Sequence, residues 1–76
     1  MKYWLYQNRH NPHKFLELKR YDDGHYYWRQ FMKWDNGVVN PIGSKTGRFF
    51  RVSIETVKDV IMSYIWITSD MCQETG

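Results

Sequence analysis

The sequence predicts an α+β domain, a small antiparallel sheet of four to five strands joined by hairpins, with one C-terminal amphipathic helix packed on one face. Three observations predict it. Aromatic and β-branched runs alternate with turn signals through residues 2–52. From Ile54 the apolar spacing changes to a helical one. A chain of 76 residues holds one domain, residues 1–76.

Residues 2–7 open the sheet, with Trp4 and Tyr6 on one side and Tyr3 and Leu5 on the other. Residues 8–12 carry two Asn and Pro12, which suit a turn. A second strand covers residues 13–21, placing Leu16 and Leu18 with Lys14 and Arg20, and Phe15, Glu17, Lys19 and Tyr21 opposite. Asp22, Asp23 and Gly24 then form a tight hairpin turn, because Gly accepts the positive φ such turns require. The third strand, residues 25–34, sorts into Tyr26, Trp28, Gln30, Met32 and Trp34 on a largely apolar face. His25, Tyr27, Arg29, Phe31 and Lys33 share a basic-aromatic one.

Asn36-Gly37 is the second hairpin signal. Residues 38–42 follow as a strand that Pro41 confines to an edge. After the loop 43–47, residues 48–52 form a final strand, with Phe50 and Val52 on one face and Phe49 and Arg51 on the other. Ser53 is a good N-cap, and Glu55 suits the positive end of a helix dipole. Ile54, Val57, Val60, Ile61, Tyr64 and Ile65 predict a helix over about residues 54–66, with residues 68–76 a polar, frayed end. That helix is expected to cover Trp28, Met32, Phe50 and Val52.

The net charge of +3 is unevenly spread. Residues 1–53 carry ten Lys/Arg against four Asp/Glu, a net +6, while residues 54–76 carry one against four, a net −3. A basic sheet favours a polyanionic partner. Cys72 is the sole cysteine, so an internal disulfide is excluded, which fits a reducing compartment. The N-terminus lacks the apolar core of a signal peptide and no window suits a spanning helix, so a cytoplasmic protein without membrane contact is expected.

The uncovered sheet face is the main candidate site. It holds Tyr27, Arg29, Phe31, Lys33, Phe49 and Arg51, with Lys45 and Arg48 from the preceding loop. Rings at such spacing stack bases, and interleaved cations hold phosphates or meet guanine edges. The same pattern also serves a protein-binding face or a solvated sheet surface. The loop 43–48 has small residues, Lys45 and hydroxyls, but lacks the spacing of a phosphate-binding loop and joins strands. It reads as a basic hairpin tip or a plain turn.

His10 and His13 lie across a proline turn, and His25 opens another strand, so no metal site and no cofactor are expected. The acidic residues Asp22, Asp23 and Asp35 fall in turns, and no nucleophile motif is present, so catalysis is not expected. Strands followed by a helix resemble the layout of the small N-terminal DNA-binding domains of some transposon integrases, which read the major groove with a three-stranded sheet. Only the layout is similar; no motif is shared. The expected function is a non-enzymatic nucleic-acid-binding accessory protein, with DNA ahead of RNA. The alternative is a protein–protein interaction module, such as a phage or mobile-element modulator of a host protein. A homodimer would form through the same face or an edge strand.

Overall fold

A computed structural model describes residues 1–43 and 47–71, and for residues 68–71 the backbone alone. Strands β1 (Lys2–Asn8), β2 (Lys14–Arg20), β3 (Tyr26–Lys33), β4 (Val39–Ile42) and β5 (Phe50–Val52) precede helix α1 (Ile54–Ile61), and strand β6 (Tyr64–Met71) follows it. All pairings are antiparallel, in the order β4-β3-β2-β1-β6, with β5 also on β3. The α+β class and the helix packed on one face are as expected. The strand count is six rather than four to five, and the helix is not the last element.

Two turns of the same design set the register. Aromatic-Asp-Asp-Gly at residues 21–24 and aromatic-Asp-Asn-Gly at residues 34–37 both end in a glycine in the left-handed region, Gly24 at φ 87° and Gly37 at φ 88°. In each, the glycine N–H donates to the aromatic residue's carbonyl, at 2.9 Å. The side chain before the glycine accepts from the N–H of the residue that leads into the next strand, Asp23 from His25 and Asn36 from Val38, both at 3.0 Å. Three-residue loops closed by a left-handed glycine are a favoured hairpin form.

β4 and β5 lie along the same edge of β3. Residues 30–33 of β3 pair with β4, and residues 26–28 pair with β5. They are one edge line interrupted opposite Arg29, and residues 47–49 are the described part of the excursion between them. Sequence patterning alone does not reveal that the two short strands share an edge.

α1 begins where expected. Ser53 has extended backbone (φ −78°, ψ 153°), and its Oγ accepts from the Thr56 N–H at 3.3 Å. It ends one turn early, so the expectation of helix to residue 66 and a frayed end from residue 68 is corrected. Tyr64–Met71 is a strand on the free edge of β1. Arg9 makes the stop: its N–H donates to the Ser63 carbonyl at 2.8 Å and its Nε to the Met62 carbonyl at 3.1 Å. The next residues, Ile65, Trp66, Ile67 and Thr68, are β-branched or aromatic, and a strand suits them better than a helix. Tyr6 pairs with Trp66 but Leu5 with Thr68, so Ile67 is the extra residue of a bulge. Residues 72–76 of the expected frayed end, Cys72 among them, lie outside the described residues.

The core lies between the sheet and α1. Leu16, Leu18, Val57 and Tyr64 are buried, surrounded by Trp4, Tyr6, Tyr26, Trp28, Val52, Ile54, Val60 and Ile61. The Tyr64 hydroxyl donates to Gln30 Oε1 at 2.9 Å, giving that phenol a polar partner inside the core. Alternation along β3 therefore holds without a bulge, with Tyr26, Trp28 and Gln30 towards the helix. Three details differ from expectation. Met32, expected beneath the helix, is not among the residues packed against the core. Phe50, expected beneath the helix, is 48% exposed on the sheet margin. Trp34 falls beyond β3 in the turn, where its ring lies 5.2 Å from that of His13.

Candidate nucleic-acid interface

The sheet face opposite α1 is built from the other half of each alternation. Register lines up Tyr3, Lys19, Tyr27 and Arg51 in one row, Leu5, Glu17 and Arg29 in the next, and Gln7, Phe15, Phe31 and Pro41 in a third. Lys33 and Val39 pair at the end of β3.

Glu17 and Arg29 organise the centre. Arg29 Nε donates to Glu17 Oε1, and the Tyr3 hydroxyl donates to Glu17 Oε2. The Glu17 side chain is only 12% exposed, so both donors hold a carboxylate largely removed from water. Arg29 Nη1 donates to the Gly47 carbonyl at 3.2 Å, tying that residue of the excursion to the sheet. Phe49 completes the clasp: Arg29 Cζ lies 4.5 Å and Lys19 Nζ 4.2 Å from its ring centroid.

Beside this clasp the face is hollow, with a cavity volume of about 420 Å³. Leu5, Phe15, Phe31, Val39 and Pro41 supply apolar lining, while Glu17, Arg29, Gly47 and Lys33 supply polar groups. The Phe15 and Phe31 rings are stacked across strands at 5.5 Å and 13°. At the far end Arg51 Nη2 lies 2.9 Å from His25 Nδ1, and Tyr27 meets the Tyr21 ring edge-on at 5.1 Å.

The residues anticipated from sequence thus have distinct surroundings. Arg29, Phe31 and Phe49 come together at the hollow and its clasp. Tyr27 and Arg51 share the row beyond it. Lys33 stands exposed at the opposite rim, and Arg48 is exposed in the excursion; neither has an ion pair among the described residues. Lys45 lies outside the described residues. Leu5, Phe15, Glu17, Lys19, Val39, Pro41 and Gly47 were not anticipated as part of the site. Their signal was partly present: pairing outward from the turn at residues 22–24 sets Glu17 opposite Arg29 and Phe15 opposite Phe31.

The histidines are separated. His13 Nδ1 is 3.2 Å from the Lys33 carbonyl and 3.9 Å from Asp35, His25 faces Arg51, and His10 is exposed in the first loop. Among the described residues no group of three His, Cys, Asp or Glu could hold a metal. No described helix is long and apolar enough to cross a membrane.

Comparison with protein families, curated proteins and solved structures finds no match.

Proposed function

We propose that this chain is a small, non-enzymatic nucleic-acid-binding accessory protein of the cytoplasm that engages its partner through the open sheet face. The observation that carries this reading is the make-up of the open face, where four cations stand against one carboxylate, although Lys2, Lys14 and Arg20 lie on the helix side. Lys19, Arg29, Lys33 and Arg51 occupy the open face, and Arg48 is exposed between Gly47 and Phe49. Among acidic residues with described side chains, Glu17 alone is on that face, and Arg29 engages it. The others are in turns (Asp22, Asp23, Asp35) or exposed on α1 (Glu55, Asp59). Lys33, Arg48 and Arg51 are the phosphate contacts in this reading, while Phe15 and Phe31 offer the rings. Arg29 and Phe49 hold the face in shape.

The test is fluorescence anisotropy with labelled oligonucleotides. Lys33→Ala and Arg51→Ala are expected to weaken binding without loss of fold, each flattening the dependence of log K on log salt by about 0.7 for a single strand.

A second reading rests on a different observation. β6 is an open sheet edge on which Ile65, Trp66 and Ile67 are 47%, 58% and 46% exposed. Unpaired strand edges of that kind attract another strand, from a second copy or a host protein. Salt-tolerant self-association lost on Trp66→Lys would favour it.

A further inference from the structure

We propose that the hollow between the Phe15–Phe31 pair and Gly47 receives an unpaired nucleobase, so that the open face binds single-stranded nucleic acid in preference to duplex. This rests on the nucleic-acid reading above and names the ligand that its centre takes.

Shape is the first argument. A duplex is read by an element that protrudes into a groove. Here the middle of the basic face is recessed, with Val39 and Pro41 along one side and Gly47 at one end. A duplex laid across the rims would leave the hollow unfilled, whereas a base turned out of a single strand can enter it. At about 420 Å³ the space is in the range of small-molecule sites.

Chemistry is the second. A nucleobase presents flat π-surfaces and a polar edge. The hollow presents stacked phenyl rings with Leu5 beside them, and at one end the Glu17 carboxylate, the Arg29 guanidinium and the Gly47 carbonyl. Tyr3 and Arg29 already fix Glu17, and the Gly47 carbonyl fixes Arg29, so the polar end is ordered before anything binds. A fixed site loses less on binding than one that must first order itself.

Charge is the third. Lys33 stands at one rim, and Arg51 pairs with Tyr27 six residues back along β3, about 20 Å away at the rise of a strand. Cations on both sides of an apolar hollow suit a chain whose phosphates run past while a base turns inward. A purely apolar ligand would gain nothing from them.

The test compares three labelled probes of equal length at one salt concentration: a single-stranded DNA, its duplex, and an abasic single strand with the same phosphates. Val39→Phe supplies the matching change in the protein, since Val39 lines the hollow from an exposed position on an edge strand, where a larger side chain takes up part of the space. The single strand is expected to bind about 10-fold or more tighter than either of the others, the size of one stacked base. In Val39→Phe the preference for the single strand over the abasic strand should shrink. Duplex binding equal to or tighter than single-strand binding would overturn the inference and leave the nucleic-acid reading standing, as would an abasic strand that binds equally well. Absence of binding to all three probes would overturn both. The abasic comparison uses the wild-type chain, so it decides the matter even if the variant does not fold.

Discussion

Arg29 is the residue on which the open face depends, and its role differs from that of its basic neighbours. Its guanidinium joins Glu17, Gly47 and Phe49, linking β2, β3 and the excursion. Arg29→Ala leaves a mostly buried carboxylate with Tyr3 as its remaining described hydrogen-bond donor, and should cost about 1–3 kcal/mol in denaturant unfolding. Arg29→Lys should not restore it, because an ammonium cannot match the planar fork that donates to two acceptors beside a ring. Arg51→Ala, at an exposed side chain, should change stability little. Of these two cations on the open face, Arg29 is tied into the fold, whereas Arg51 is exposed beside the His25 ring. Alternation told which face Arg29 occupies; only the pairing of β2 with β3 told that Glu17 sits opposite.

Tyr64 and Tyr6 give a second residue-scale expectation. Burial raises the phenol pKa of both above the usual value of 10, aided at Tyr6 by the neighbouring Tyr26 and partly offset at Tyr64 by a hydrogen bond with Asn8. Above about pH 10 the unfolded chain therefore releases these protons before the folded one does. Stability should be level in this respect below pH 10 and fall as pH rises further. Alkaline unfolding followed by circular dichroism checks this, and Tyr64→Phe should make the alkaline fall shallower. The same variant strands Gln30 Oε1, at a cost of about 1–3 kcal/mol at neutral pH.

At the scale of elements, α1 and β6 show where local pattern stops being decisive. Ile61, Tyr64 and Ile65 satisfy helical spacing, yet Tyr64 with Trp66 and Ile65 with Ile67 satisfy strand alternation equally well. The choice falls to groups far away in sequence: Arg9 holds the Met62 and Ser63 carbonyls, and β1 offers a free edge. Turns, by contrast, were legible in full, because Gly24 and Gly37 act through their own backbone. The start of α1 was legible for the same reason, and Ser53→Ala should lower stability by about 0.5–2 kcal/mol. The union of β4 and β5 along one edge was not legible. Nothing in residues 43–49 signals that the chain returns to the line it left.

For the whole molecule, the sheet divides two tasks. Its helix side holds Leu16 and Leu18 at 1% and 3% exposure, and Leu16→Ala there should cost about 2–5 kcal/mol. Its other side carries Lys19, Arg29, Lys33 and Arg51, of which Arg29 and Lys33 line the hollow. The division was legible from the period-two pattern of β2 and β3, since Leu16 and Leu18 oppose Phe15, Glu17 and Lys19. The hollow itself was not, because it needs β1 beside β2 and Gly47 held by Arg29 of β3. Six strands also set the molecule apart from the three-stranded integrase layout that the order of its elements suggested.

The most direct test of the account is the affinity of the purified protein for a labelled single-stranded oligonucleotide between about 50 and 200 mM salt, a range over which phosphate contacts show clearly. Contacts from Lys33, Arg48 and Arg51 predict a slope of log K against log salt of about −2. Absence of binding at the low-salt end, or binding indifferent to salt, would contradict the assignment of the open face to nucleic acid.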